Sequence, residues 1–205
     1  MKINILAPDV FEIEDFVSVE EQEVILKFLN NVKESDWFPQ NPNNLQQHNL
    51  VEYGVDGNGN QVSRLGFFYG KRYENELPEL VTDNIYPRIK DLFYSYYLID
   101  PPSLHRHLKG DNHKPHRDYD PVNQKTEYYI RYGIVIYFND DYAGGALDYP
   151  ELGIIHKPKA RSLMMHAGNI LHGTTEVESD VTRYFATAFV KGTRENPVEF
   201  LLGCC

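Results

Sequence analysis

Tyr128-Tyr-Ile-Arg-Tyr-Gly-Ile-Val-Ile-Tyr-Phe138 is the stretch on which the fold turns. It is dense in β-branched and aromatic residues, carries no proline, and is too short for a long buried helix. Such a run reads as a strand. Working outward, the same grammar recurs at Ser103–Leu108, Ala146–Tyr149, Gly153–His156, Arg161–His166, Gly173–Val177 and Arg183–Lys191. Glycines and prolines separate these segments. Strands in quick succession, with no helices between them, predict a sandwich or small barrel. Upstream the pattern changes. Ser18 and Glu21 form a capping box ahead of a helix over about Val19–Lys33, with Ile25, Phe28, Leu29 and Val32 on one face. Residues 34–62, with Pro39, Pro42 and Asp56-Gly57-Asn58-Gly59, read as loops or a hairpin. A second helical region is expected over about Pro78–Tyr96, with Leu80, Ile85, Ile89, Leu92 and Phe93 on one side. Pro87 should kink or split it. The expected class is therefore α+β, in one domain over residues 1–205. Its parts are a helical and loop region over about 1–97, a β-core over about 98–191 and a short tail over 192–205.

Composition narrows the function. The 205 residues carry 30 acids against 20 bases, a formal charge of −10. That excess works against generic binding to nucleic acid or anionic lipid, where cations must neutralise phosphates. No run of about 18 apolar residues predicts a membrane span. Met1–Glu12 lacks the apolar stretch of a signal peptide, so a cytoplasmic setting is expected. The two cysteines, Cys204 and Cys205, are adjacent and read as a reduced tail rather than a staple.

Eight histidines offer the chemistry. The sharpest local feature is His116-Arg117-Asp118. Residues two apart in an extended segment share a face, so an imidazole and a carboxylate converge there. A third ligand would complete the two-His, one-carboxylate set that leaves three positions open on an octahedral metal. His172 is the candidate, with His166 as a rival nearby. His-Arg-Asp also occurs in kinase catalytic loops, but no glycine-rich loop, Val-Ala-Ile-Lys-like strand or Asp-Phe-Gly accompanies it here. Arg183 opens the apolar strand Arg183-Tyr-Phe-Ala-Thr-Ala-Phe-Val190. A guanidinium there is either at a solvent edge or, if buried, in need of an anionic partner such as a bound carboxylate.

Taken together these pieces resemble the iron- and 2-oxoglutarate-dependent dioxygenases, in their prolyl 4-hydroxylase-like branch. The matching text is His105-Arg-His-Leu-Lys-Gly-Asp111, His116-Arg-Asp118, the run from Gly133 through Gly144-Gly145 to Leu147, Pro158–Met165, Leu171-His172-Gly173 and Thr182-Arg183-Tyr184. The resemblance covers roughly residues 9–191. It implies a double-stranded β-helix (jelly-roll) core with N-terminal supporting helices. It implies Fe(II) on His116, Asp118 and His172, and the distal carboxylate of 2-oxoglutarate on Arg183, helped by the Tyr137 hydroxyl. His107 stands where many relatives carry a cosubstrate-contacting tyrosine. Gly144-Gly145 would make a sharp turn, and His105 and His113 would be scaffold or rim residues.

The implied reaction consumes O2 and couples hydroxylation to decarboxylation of 2-oxoglutarate into succinate and CO2, with ascorbate as supporting reductant. The branch implies a prolyl residue of a peptide or protein as substrate. Another side chain or a small molecule is the alternative, and a non-catalytic β-barrel binding module is a third. A nucleic-acid demethylase would carry a second arginine where Phe189 stands. Asp118 favours hydroxylation over halogenation, which needs that ligand position vacant. The polar stretch 34–76 and the loop 119–129 are candidate substrate lids.

Overall fold

A computed structural model gives the fold and describes residues 2–33, 37–41, 45–50, 53–55, 61–63, 80–119 and 127–201. Most of the 34–76 stretch, the expected helix start at Pro78, most of the 119–129 loop and the cysteine pair lie outside the described residues. In chain order the elements are β1 (Lys2–Ala7), β2 (Val10–Glu14), α1 (Val19–Asn31), β3 (Trp37–Asn41), β4 (Leu45–Leu50), β5 (Tyr53–Val55) and β6 (Gln61–Ser63). A π-helical turn (Leu80–Ile85) leads into α2 (Tyr86–Lys90), β7 (Phe93–Ser95), β8 (Leu98–Ile99), β9 (Ser103–His107) and β10 (His113–His116). The last group is β11 (Tyr129–Tyr137), β12 (Leu147–Tyr149), β13 (Ile154–His156), β14 (Leu163–Ala167), β15 (His172–Thr174), β16 (Arg183–Gly192) and β17 (Glu199–Phe200).

Two antiparallel sheets make the core. The larger runs β1-β2-β14-β11-β16-β9-β4-β3, with β8 also on β16; the smaller runs β10-β15-β12-β13. Strand β11 shows why its sequence is apolar without alternation. Tyr132, Ile134 and Ile136 face outward into a cluster with Ile25 and Leu29 of α1 and with Val81, Ile85 and Ile89. Gly133, Val135 and Tyr137 face a cavity enclosed between the sheets. A strand buried on both faces must be apolar on both. Tyr137 and Phe185 of the large sheet meet Leu147 and Tyr149 of the small one in a second cluster. The two opposed sheets fit the jelly-roll that the resemblance implies.

Three expectations need correction. The chain does not begin with helices: β1 and β2 form a hairpin, and β2 pairs with β14 in the large sheet. Among the described residues the support is one full helix rather than two. The expected 78–96 helix is a π-helical turn followed by five α-helical residues, and Phe93 then enters a strand. Pro87 sits in the first turn of α2, where its missing N–H costs nothing, so the helical hydrogen bonds restart there. Part of the expected tail is also built into the fold: within it β17 pairs with β7, and Phe200 packs against Phe11 and Phe93 at ring distances of 5.3 and 5.5 Å.

Helix α1 begins as its sequence predicts. The Ser18 hydroxyl accepts from the Glu21 amide at 3.1 Å, and the Glu21 carboxylate accepts from the Ser18 amide at 2.8 Å. Glu21 does a second job by accepting from both Arg88 terminal nitrogens, at 2.7 and 3.0 Å, which ties α1 to α2. The Arg88 bonds hold the Glu21 carboxyl below its ordinary range, against the opposing effect of burial. A depressed carboxyl contributes stability above its unfolded value and loses it as pH falls through the folded value. Stability should therefore drop on the acid side, and Arg88→Met should flatten that drop in urea titrations compared between pH 7 and pH 3.

Candidate metal centre and cosubstrate pocket

The His116, Asp118 and His172 side chains come together, and the sheet register explains how. His116 ends β10 and His172 begins β15, and the two are paired directly across the small sheet. Side chains opposite each other on antiparallel strands point to one side. Asp118 lies just past the end of β10, in a bend rather than in the extended segment expected. Its Oδ1 faces His116 Nε2 at 3.5 Å and His172 Nε2 at 3.8 Å. The candidate ligand atoms of the three residues all lie within 4.8 Å of one another.

The ring orientations suit a metal. His116 Nδ1 donates to the Lys114 carbonyl, and His172 Nδ1 donates to the Ile170 carbonyl, each at 3.0 Å. A backbone carbonyl only accepts, so in the neutral rings the proton is on Nδ1 and the Nε2 lone pair is free for the cluster. Burial lowers His172 to about 3, which keeps it neutral. Burial would raise Asp118, but the adjacent His116, His166 and His172 imidazoles outweigh it and hold the carboxyl well below its usual range. Two imidazole nitrogens and one ionised carboxylate are the donor set of a facial non-haem iron site. The residues fit the ion that the resemblance implies.

Gly133 makes room for this cluster. A Cβ on it would come within 2.3 Å of Asp118 Oδ2 and 2.9 Å of His166 Nε2. Glycine inside a strand marks just such a close approach. Gly133→Ala should push Asp118 off its position and weaken divalent-metal binding at least tenfold with the fold retained, read by calorimetric titration with Mn(II) and by circular dichroism.

Arg183, Tyr137 and His107 form the other end of the cavity. Arg183 is 1% exposed, so the solvent-edge alternative does not hold. It pairs in register with His107 on β9. One terminal nitrogen donates to the Tyr137 hydroxyl at 3.0 Å and the other to His107 Nδ1 at 3.1 Å. The guanidinium lies 4.2 Å from the Phe185 ring centre. Its Nε has no hydrogen-bond partner, and no carboxylate pairs with it among the described residues. A buried cation held only by neutral groups is costly and invites an anion. Burial pushes the Tyr137 phenol far above its ordinary range, so it stays protonated beside the guanidinium. Gly145, at φ +62°, carries the chain close past Arg183, where a Cβ would lie 3.1 Å from its Cδ.

Both groups line one cavity of about 190 Å³. His105, expected as scaffold, also lines it. Its Nε2 lies 2.8 Å from both Ser103 Oγ and Thr187 Oγ1, and its ring stacks on Phe185. His113 lines the cavity as well. Sequence reading missed Gly133, although an isolated glycine in a strand was a usable signal. His166, the rival to His172 in the sequence, faces the other carboxylate oxygen of Asp118.

Comparison with solved structures identifies the fold as that of the 2-oxoglutarate- and Fe(II)-dependent oxygenases. A viral collagen prolyl hydroxylase from Paramecium bursaria Chlorella virus-1, in its 2-oxoglutarate complex, superposes with a TM-score of 0.57 at 15% identity, over 91% of this chain and 97% of that one. A prolyl hydroxylase from Trichoplax adhaerens, bound to a peptide of hypoxia inducible factor, gives 0.62 at 13% identity, over 89% and 83%. HygX from Streptomyces hygroscopicus, with nickel, 2-oxoglutarate and hygromycin B bound, gives 0.52 at 10% identity, over 91% and 83%. No protein-family model and no curated protein sequence matches the chain. Among the described residues no helix is long and apolar enough to cross a membrane.

Proposed function

We propose that this chain is a single-domain Fe(II)- and 2-oxoglutarate-dependent hydroxylase, working in the cytoplasm on a prolyl residue of a peptide or protein. The observation that carries the reading is the pairing of two features in one cavity. A His-Asp-His cluster lies in one wall, and a buried arginine lacking a carboxylate partner lies in another. Either feature alone has many explanations. Together they match a dicarboxylate that reaches from a cation to a metal.

In this reading His116 Nε2, Asp118 Oδ1 and His172 Nε2 hold the iron. Arg183 and Tyr137 hold the distal carboxylate, and His107 steadies the guanidinium through its Nη1 bond. When bound, Fe(II) with 2-oxoglutarate and O2 supplies oxidative decarboxylation coupled to hydroxylation of a C–H bond. The protein supplies orientation and a water-poor cavity, in which the guanidinium–carboxylate attraction is stronger than in water. Ionised Asp118 offsets part of the metal charge.

The prolyl substrate is supported by the prolyl hydroxylases among the structural neighbours, one of them bound to a peptide. HygX, bound to hygromycin B, supports a small-molecule substrate as the second reading. The test is incubation with Fe(II), ascorbate, 2-oxoglutarate and a proline-containing peptide library, read by mass spectrometry and succinate release. The expected result is one added oxygen on prolyl residues with stoichiometric succinate. Products only on lysyl or asparaginyl residues would remove the prolyl assignment. Succinate at background across peptides and small molecules would favour a binding module instead.

A further inference from the structure

His166 faces the Asp118 carboxylate, and the proposed function leaves it idle. It lies on β14, 1% exposed, paired in register with Gly133. Its Nε2 stands 3.4 Å from Asp118 Oδ2, long for a hydrogen bond, and has no closer polar partner. Its Nδ1 lies 3.3 Å from the hydroxyl of fully buried Tyr149. The two carboxylate oxygens are thus divided. Oδ1 faces His116 and His172, and Oδ2 faces His166. The contact exists only because residue 133 is glycine, since a Cβ there would fill the gap that both Asp118 Oδ2 and His166 Nε2 occupy.

We propose that His166 is a positioning residue that holds Asp118 Oδ2 away from the metal, so that the carboxylate binds through Oδ1 alone. The proposal rests on the metal-site reading above. The chain of donors follows from chemistry. With the Tyr149 hydroxyl as donor to His166 Nδ1, the ring proton is on Nε2, which faces Oδ2 across 3.4 Å. A carboxylate with one oxygen engaged this way is turned to present the other. One-oxygen binding also preserves the three open positions that a chelating cosubstrate and O2 require; a two-oxygen carboxylate would take one of them.

The test uses Co(II) with the full-length chain and four forms: wild type, His166→Ala, His166→Gln and Tyr149→Phe. Affinity is read by titration, and coordination by the visible d–d spectrum. Circular dichroism confirms that each variant is folded. Loss of a partner to a metal ligand typically costs ~10–100-fold in affinity. His166→Ala should show that loss and an altered d–d intensity. His166→Gln, whose amide N–H reaches the same oxygen, should recover most of both. Tyr149→Phe should fall between wild type and His166→Ala. Equal affinities and spectra across the folded variants would overturn the proposal. So would a loss in His166→Ala that Gln does not restore, because His166 would then be a ligand itself. Absence of Co(II) binding in wild type would instead refute the metal-site reading.

Discussion

Arg183→Met should weaken 2-oxoglutarate binding by about 100-fold while leaving divalent-metal binding in place. The side chain is buried, and it already gives up two of its donors to Tyr137 and His107. Among the described residues nothing else at that end of the cavity neutralises a carboxylate: Tyr137 and His107 offer a phenol and an imidazole. Charge-assisted hydrogen bonds are worth about 1.5–3 kcal/mol each, and each 1.4 kcal/mol is a factor of ten. Losing such a bond together with the charge gives the stated magnitude. Tyr137→Phe removes one hydroxyl and keeps the guanidinium, so its effect should be nearer tenfold. Ligand-induced stabilisation reads both. With metal present, 2-oxoglutarate should raise the wild-type thermal midpoint through its preferential binding to the folded state. The rise should vanish in Arg183→Met and shrink in Tyr137→Phe. An equal rise in all three proteins would place the cosubstrate elsewhere.

The second large effect concerns Asp118. Structural Zn(II) sites bind with roughly 10–16 kcal/mol from four ligands, or about 3 kcal/mol per ligand. Asp118→Ala should therefore weaken metal binding by two to three orders of magnitude and abolish succinate formation. The electrostatics strengthen the case. Asp118 is the anionic member among three close imidazoles, with His116 and His166 at 3.5 and 3.4 Å and His172 at 3.8 Å. Without it a divalent cation meets only neutral nitrogens. Asp118→Asn keeps the shape and an acceptor oxygen but not the charge, so its affinity should fall between wild type and Ala. If Asn and Ala were equally weak, the charge would account for the whole effect.

What the sequence disclosed depended on how local the cause was. The capping box at Ser18 and Glu21 is a short-range pattern, and it forms as read. The strands after residue 98 follow their segments closely, because β-branched residues bounded by glycine and proline leave little else to form. The β1–β2 hairpin was hidden, since Lys2–Glu14 gains its stability from pairing with β14 far along the chain. The second helix was over-read at its C-terminal end: Pro87 splits it as expected, but a periodic apolar pattern does not report that the helix stops at Lys90 and that Phe93 enters a strand paired with β17. At the site, the nearness of His116 and Asp118 was legible from their spacing, although Asp118 lies in a bend rather than in the extended segment expected. Burial of Arg183 was not, because a guanidinium at a strand start is compatible with either an edge or an interior. The contact of His166 with Asp118 was illegible for a related reason: it depends on strands far apart in sequence and on a missing Cβ at Gly133.

The central claim is that one cavity holds both Fe(II) and 2-oxoglutarate. Anaerobic addition of Fe(II) and then 2-oxoglutarate to metal-free protein tests it most directly. The expected result is a visible metal-to-ligand charge-transfer band that appears only with both components and weakens in Asp118→Ala and in Arg183→Met. A folded, metal-binding protein that develops no such band would contradict the claim.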